Sequence, residues 1–380
     1  MSSSSWSMRD AIRLAHPPAP TVGHSAIYNW LCGRDRPDDG SVPEILDAHA
    51  LAHNPDRGPA VLRARRGIAD GLPREALPTE AMQDPDVWRD LLPGLGLTAL
   101  LRNLGNLTAS GVLAPGTAEC ARVAARLLNR DVLHLARVHP FAVLLAALVY
   151  RQGHGVRGSK TWLPVPQVLS ALEDAYDLAF ANAEPTNRRM LVGIDISGSM
   201  TATCAGTPIR CALAARALAI TLARMEPHAV VVTFDTAVQE VMPVTRRTGI
   251  ASIGLAHGGG TDLSAPVRWA MGQRTGKQMV PTRWGVMVAY TPDTQLSARL
   301  MEVDAFIIIT DNETWAGRQH PAQALDQYRR TVNRQAQLVC CSLAATAGDI
   351  VDPGDLGSMG CAGLDASLPA LVADFIRRGA

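Results

Sequence analysis

Small oxygen-bearing side chains follow an apolar run in the stretch LVGIDISGSM, residues 191–200. Asp195 closes the run, and Ser197 and Ser199 stand two and four positions after it. Two later segments carry similar groups, since GGGTD contains Thr261 and IIITDNE contains Asp311. The five residues supply two carboxylates and three hydroxyls, with no sulfur or imidazole. This donor set suits an octahedral Mg²⁺-like ion better than zinc, with Mn²⁺ or Ca²⁺ as alternatives.

Other chemistry for these residues is less well supported. A D-x-S-x-S stretch by itself is also typical of a turn whose hydroxyls cap the next helix. Its ordered combination with Thr261 and Asp311 favours a metal site. Hydrolase chemistry on the serines is disfavoured, because no G-x-S-x-G elbow flanks them and no histidine follows at a suitable strand end. A metal-dependent nuclease is disfavoured because no two-metal carboxylate arrangement is visible.

A sheet is needed to bring these residues together, and residues 188–380 predict one. RMLVGIDIS, AVVVTFD, VDAFIIITDNE and AQLVCCSLAA read as strands, and helices such as TPIRCALAARALAITLARME alternate with them. Continuous apolar strands alternating with helices predict a doubly wound parallel sheet. Ligands of such sheets bind beyond the carboxyl ends of the strands, where Asp195 and Asp311 are expected to lie.

Residues 1–187 predict a second domain made of helices. GLGLTALLRNLGNLT, HPFAVLLAALVYRQ and VPQVLSALEDAYDLAFANA have helical spacing, and clusters such as GRDRPDDGSVP separate helices. A HEAT-like helical-repeat arc fits this pattern, although the sequence has no clean internal period. The fold class is therefore α + α/β, a helical-repeat arc followed by a doubly wound domain.

The composition is that of an ordinary globular protein. The 380 residues are 47% apolar and 19% charged, with a formal net charge of +1, so total charge indicates no partner. No apolar run reaches the length of a membrane span, and MSSSSWSMRD lacks a signal-peptide core. The seven cysteines lack C-x-x-C spacing. We expect them to be reduced and mostly buried in a cytoplasmic protein.

Longer stretches carry a family resemblance. WSMRDAIRLAHPPAP, LTALLRNLGNLT, HPFAVLLAALVYRQGHGVRGSKTW and FANAEPTNRRMLVGIDISGSM resemble the Ro ribonucleoprotein family, whose helical part is called the TROVE module. The second half resembles a von Willebrand factor A domain. Its residues Asp195, Ser197, Ser199, Thr261 and Asp311 match the metal-ion-dependent adhesion motif of that domain.

The resemblance implies a function that composition does not suggest. Ro-family proteins bind small structured noncoding RNAs called Y RNAs, and also defective RNAs with single-stranded ends. It implies a non-catalytic role in RNA quality control or ribonucleoprotein scaffolding, with an exoribonuclease tethered through RNA as a further partner. The rival interpretation is a metal-dependent protein-interaction scaffold that does not bind RNA.

Local charge is consistent with RNA binding, since residues 102–160 hold eight arginine or lysine residues against two acidic ones. Arg9 and Arg13 share a helix face and match basic positions where the family contacts Y RNA. The candidate RNA-binding residues are Arg9, Arg13, His24, Arg102, Arg137, Arg151, His154, Arg157 and Lys160. The alternatives are ordinary helix surface for the first two and a helix C-cap with an ordered turn for RQGHGVRGSK, residues 151–160.

Several polar and aromatic residues are predicted to be structural. Asn103 and Asn106 flank an expected bend at Gly105 and should act in capping, not in base reading. The tryptophans of the first half are predicted to be core residues, because the chain has few aromatic side chains; they are Trp6, Trp30, Trp88 and Trp162.

The resemblance also predicts an assembly. WSMRDAIRLAHP lies close to the N-terminus here, whereas the helical module of the family extends well upstream of it. We therefore expect a homo-oligomer, or a partner chain that supplies the missing helices. The link 273–302 is longer than usual in the family. It could form a hairpin over the metal site, an assembly contact or a tolerated surface insertion.

Overall fold

The computed structural model describes residues 7–34, 43–54, 61, 72–155, 160–245, 248, 260–272, 278–281, 287–290, 302–312, 319–344 and 350–379. These residues form two compact units. The first comprises Met1–Gly96 with Ser110–Leu113, and the second comprises Leu97–Ala109 with Ala114–Ala380. No helix in the described part of the chain is long and apolar enough to cross a membrane.

Short helices form most of the described part of the first unit. They are α1 (Met8–Ala15), α2 (Val22–Leu31), α3 (Glu44–Ala52) and α4 (Pro85–Leu91). Ser7 and Asp10 form a capping box at the start of α1, and Thr21 accepts from the His24 amide to cap α2. Trp88 is fully buried, which confirms its predicted core role, and its indole N–H donates to the Met82 carbonyl at 2.9 Å.

The second unit begins with helices, and the first, fourth and fifth of them lie in stretches whose spacing predicted a helix. They are α5 (Leu97–Ala109), α6 (Ala118–Leu127), α7 (Arg130–Leu135), α8 (Pro140–Gln152) and α9 (Pro166–Ala179). Both α8 and α9 have proline at the first helical position. Proline lacks an N–H, and the N–H at this position makes no hydrogen bond within a helix, so no bond is lost. Gly153 ends α8 in the left-handed conformation, with φ of 74°, so the predicted C-cap is present.

The expected bend at Gly105 is wrong, because α5 runs without interruption from Leu97 to Ala109. Asn103 and Asn106 do not cap a helix end. Asn103 Nδ2 donates to the Ala99 carbonyl at 2.8 Å, and Asn106 Nδ2 donates to Asn103 Oδ1 at 3.2 Å. The glycine serves packing, since a Cβ added there would lie 2.6 Å from the ring of Trp162. Trp30 and Trp162 are half-buried, and Trp6 lies outside the described residues.

The predicted doubly wound sheet is confirmed. Its strand order is β3-β2-β1-β6-β7-β8, and all neighbouring pairs are parallel except β2 with β3. The strands are β1 (Met190–Asp195), β2 (Ala229–Phe234), β3 (Val238–Met242), β6 (Ala305–Thr310), β7 (Gln337–Ser342) and β8 (Ser358–Ala362). The sequence pattern did not predict β3 and β8. Both are edge strands of five residues that lack the long apolar run of the central strands.

Helices cover both faces of the sheet. They are α10 (Cys211–Met225), α11 (Ala265–Ala270), α12 (Pro321–Thr331) and α13 (Leu368–Arg378). One core joins α10, α13 and part of α8 to the sheet, and the other joins α11 and α12 to the opposite face. Alternate residues of β6 divide between them, Ile307 and Ile309 in the first core and Phe306 and Ile308 in the second. This explains why the central strands are apolar throughout.

The long link contains an antiparallel strand pair, β4 (Gln278–Pro281) and β5 (Met287–Tyr290). The pairing agrees with the hairpin among the predicted alternatives. The rest of the link, apart from Glu302, lies outside the described residues, and the role of the hairpin stays a prediction.

Candidate functional site

Asp195 stands where β1 ends, at the carboxyl edge of the sheet, and it is only 1% exposed. Both of its carboxylate oxygens accept hydrogen bonds. The Ser197 amide donates to Oδ1 at 2.8 Å, and Thr310 Oγ1 donates to Oδ2 at 2.7 Å. The carboxylate is therefore held in one orientation by the turn that follows it and by the neighbouring strand.

The two predicted serines lie in the turn that follows β1, a 3₁₀ turn over Gly198–Thr201. Ser197 Oγ and Ser199 Oγ are 3.1 Å apart. The Met200 amide donates to the Ser197 carbonyl at 3.2 Å, and the Ala202 amide donates to the Ser199 carbonyl at 2.9 Å. This tight turn brings both hydroxyls to the same edge of the sheet as Asp195.

Asp311 reaches the same edge because β6, which it follows, pairs in parallel with β1. It is 3% exposed, and its charge acts on Asp195. Thr261 is 1% exposed and precedes Asp262, whose amide donates at 2.9 Å to the carbonyl of Asp235 at the end of β2. The structure thus brings all five predicted metal-site residues to the carboxyl ends of neighbouring strands.

Two supporting groups were not predicted. Thr310 precedes Asp311 and donates to Asp195. Asp262 accepts at Oδ1 from the Ser264 amide at 3.0 Å and from Ser264 Oγ at 2.6 Å, and it also forms an ion pair with Arg268. Asp262 therefore fixes the loop that carries Thr261. The only signal in the sequence was the position of each residue beside a predicted ligand.

The electrostatics of the site suit a bound cation. Burial, and after it the charge of Asp311, raises the pKa of Asp195 to about 6, although the bonds from Ser197 and Thr310 oppose the rise. A divalent ion would offset the repulsion of the two buried carboxylates. Among the described residues, no cluster of three or more His, Cys, Asp or Glu side chains could hold a metal ion, and this edge offers two carboxylates with three hydroxyls. The donor set at this edge thus fits a hard, oxygen-seeking ion.

Three of the predicted RNA-binding residues lie in the first unit. Arg9 and Arg13 are both exposed on α1, one helical turn apart. Arg9 Nε donates to the Leu31 carbonyl at 3.2 Å, which ties α1 to the end of α2. His24 is exposed near the start of α2, and its Nδ1 lies 2.7 Å from Thr21 Oγ1. These side chains present basic and polar groups to solvent.

Two further candidates, Arg102 and Lys160, line one cavity of about 500 Å³ in the second unit. Trp162 and Asn106 line the same cavity, and most of its other walls are aliphatic. The Trp162 indole N–H donates to the Tyr150 carbonyl at 2.8 Å, so the ring is held against α5 and α8. The cavity combines two exposed cations and an aromatic surface with the carboxylate of Asp365.

The remaining candidates of the second unit are separate features. Arg151 forms an ion pair with Glu173 of α9. His154 is exposed and pairs with Thr161 in an isolated antiparallel bridge. Arg137 is exposed in a turn, with a positive φ of 49°. Arg157 lies outside the described residues.

A helical region followed by a doubly wound sheet with an oxygen-rich carboxyl edge defines a protein of the von Willebrand factor A type. A Ro60 vWA domain model matches residues 189–281 and 292–376, and a TROVE domain model matches residues 65–188. The crystal structure of the Deinococcus radiodurans RO (RSR) protein superposes with a TM-score of 0.78 and 35% identity, covering 100% of this chain and 72% of that one. This chain belongs to the Ro family.

Two curated relatives are both called RNA-binding protein RO60. The one from Deinococcus radiodurans is 36% identical over 379 residues, which cover 98% of this chain and 66% of the relative. The one from Caenorhabditis elegans is 31% identical over 312 residues, which cover 80% of this chain and 44% of the relative. The chain thus spans between about two fifths and two thirds of the length of these relatives.

Proposed function

We propose that this chain is a non-catalytic RNA-binding protein whose ligands are structured or misfolded small noncoding RNAs of the Y-RNA type. The observation that carries the proposal is the Ro-family match over 98% of the chain to a relative named for RNA binding. The exposed cations support it. Arg9 and Arg13 in the first unit, and Arg102 and Lys160 in the second, are exposed, and exposed cations are the groups that bind phosphate oxygens.

The five residues at the sheet edge bind a divalent cation under this proposal, most readily Mg²⁺. Asp195, Ser197, Ser199, Thr261 and Asp311 would supply its oxygen ligands. Such an ion contributes charge and an open coordination position, which a carboxylate or phosphate of a partner can occupy. The chain itself orients the ligands, through the bonds from Thr310 to Asp195 and through the ion pair of Asp262 with Arg268.

The experiment that tests the proposal is sequencing of RNA that co-purifies with the native protein. It is paired with filter binding of one recovered RNA over a series of salt concentrations. A phosphate-driven complex loses affinity linearly in the logarithm of salt concentration. Recovery of no RNA above the background of an unrelated protein would favour the rival metal-dependent scaffold.

A homo-oligomer, a partner chain and an exoribonuclease held through RNA remain parts of the proposal. Light scattering with and without RNA tests the first two.

A further inference from the structure

Two cysteines follow the serine turn, and none of the functions above uses them. Cys204 Sγ and Cys211 Sγ lie 3.6 Å apart, with the first thiol donating to the second. Cys204 is 1% exposed and Cys211 is fully buried. None of the seven cysteines forms a disulfide in the structure, and five of them are buried.

The backbone holds this pair in place. Thr203 and Arg210 face each other in an antiparallel bridge. The Cys204 amide donates to the Ile209 carbonyl, and the Cys211 amide donates to the Ala202 carbonyl, both at 2.8 Å. Because side chains alternate along an extended segment, this pairing puts both cysteines on one face. A disulfide needs its sulfurs about 2.05 Å apart, so the two sulfurs must approach by about 1.5 Å on oxidation.

An exposed turn connects the two cysteines. Ala205 and Gly206 between the cysteines are exposed, and Gly206 has the positive φ of 74° that a tight turn requires. Because these residues bury little surface, we expect the turn to open more readily than the sheet. Cys340 and Cys341 differ, since β7 places one in each core and layers of packed side chains cover both. Cys361 of β8 is half-buried and pairs in register with Cys341, so it is the main competing thiol.

We propose that Cys204 and Cys211 form a reversible dithiol–disulfide site that responds to peroxide. The Cys211 thiolate attacks one oxygen of hydrogen peroxide, which breaks the O–O bond and gives a sulfenic acid and, after protonation, one water. The Cys204 sulfur then attacks the sulfenic sulfur, forming the disulfide and releasing a second water. The two thiols lose two hydrogens and two electrons, and the peroxide is reduced to two waters.

Cys211 is the better first nucleophile of the two. The hydrogen bond from the Cys204 thiol lowers the pKa of Cys211, although burial and the charge of Asp311 oppose this effect. The same bond and burial raise the pKa of Cys204. Cys211 is also the first residue of α10, where the helix dipole favours a thiolate.

Oxidation at this site bears on the candidate metal site. The Cys211 amide bonds to Ala202, and the Ala202 amide bonds to the Ser199 carbonyl at 2.9 Å. Formation of the disulfide therefore shifts the turn that carries Ser199. This consequence rests on the proposed cation site, whereas the disulfide itself does not.

Trypsin provides a direct test, because Arg210 lies between the two cysteines. Cleavage after Arg210 separates them into different peptides, which stay joined only when the disulfide is present. The intact protein is treated with dilute hydrogen peroxide, denatured, alkylated and digested. We expect residues 190–210 linked to residues 211–216, and release of both peptides by dithiothreitol. Recovery of both cysteines in alkylated form, or linked to other cysteines, would overturn the site.

Matched variants locate the chemistry. A Cys32→Ser/Cys361→Ser background removes the two half-buried thiols, which are the most accessible alternatives. In that background the link should persist, and Cys204→Ser or Cys211→Ser should abolish it. If these variants fold poorly, the presence or absence of the linked peptides in the wild-type digest is the test of the disulfide.

The coupling has two readouts. Hydrogen exchange at the amides of residues 197–202 should differ between the oxidised and reduced protein. Mg²⁺ affinity should fall about tenfold on oxidation. This is the lower end of the losses of metal affinity seen when residues that hold the metal ligands are changed. Unchanged exchange in oxidised protein would overturn the coupling. Reduced protein that binds no Mg²⁺ would count against the metal site and leave the disulfide standing.

Discussion

Thr310 Oγ1 lies 2.7 Å from Asp195 Oδ2 and donates a hydrogen bond to it between the paired strands β6 and β1. Both residues are almost completely buried. The bond orients the carboxylate and favours its ionised form, because it lowers a pKa that burial raises. Thr310 is thus a positioning residue for the candidate cation site.

Removing this bond should weaken cation binding. Thr310→Val keeps the shape of the side chain but cannot donate, so the pKa of Asp195 should rise further and its orientation should loosen. We expect Mg²⁺ affinity to fall by about 10- to 100-fold, as for other outer-shell partners of metal ligands. Thr310→Ser retains the hydroxyl and is the matched control. Calorimetric titration that gives equal affinities for the Val and Ser variants would contradict the role of the bond.

Asp195 should give the metal-free protein a distinct pH dependence. Its folded pKa of about 6 exceeds the 3.8 of an exposed aspartate. The folded state therefore binds this proton more tightly than the unfolded state does. The contribution of Asp195 to the free energy of unfolding should fall as pH rises from about 4 to about 6, by about 3 kcal/mol in total.

The test compares Asp195→Asn with the wild type by urea unfolding in EDTA. The variant should be more stable than the wild type at pH 7.5 and should lose this advantage near pH 4. Asp174→Asn, which changes an exposed carboxylate, is the control and should show no such trend. In the wild type, Mg²⁺ affinity should rise through pH 6 because protons compete with the metal. A stability difference that stays flat with pH would contradict the titration of Asp195.

Arg9 and Arg13 should contribute to RNA affinity by binding phosphate groups. Changing both to Ala should weaken binding of a structured small RNA and make it less sensitive to salt. The logarithmic salt slope should shrink by about one for each phosphate that the variant no longer neutralises. Arg330→Ala/Arg334→Ala removes two exposed cations, also four residues apart, and should change neither quantity. Equal slopes for the two double variants in filter binding would remove α1 from the RNA site.

A side chain at Gly105 should destabilise the protein. An added Cβ would lie 2.6 Å from the Trp162 ring, so Gly105→Ala must displace the indole or α5. Alanine improves helix propensity by about 1 kcal/mol, and overpacking costs about 1–3 kcal/mol. We expect net destabilisation of about 1 kcal/mol in urea unfolding, with altered tryptophan fluorescence. Gly96→Ala, which meets nothing within 4 Å, is the control. Equal fluorescence in the two variants would show that Trp162 does not pack on α5 in solution.

The central sheet and the five oxygen-bearing residues could be predicted from the sequence. Buried strands are continuous apolar runs, and Asp195 and Asp311 each follow one directly. Parallel neighbours place their carboxyl ends at one edge, so the order of motifs predicted the grouping. The capping residues Ser7 and Thr21 likewise act locally, each through an amide three positions away.

Only the tertiary structure decided which residues support these groups. Thr310 and Asp195 are 115 positions apart in the sequence. Trp162 follows α8 and contacts Gly105 in α5. No local sequence pattern predicts either contact. The edge strands β3 and β8 were not predicted because backbone pairing with a formed sheet, not an apolar run, stabilises them. Cys204 and Cys211 are seven residues apart, and the bridge between Thr203 and Arg210 is what turns both sulfurs to one side.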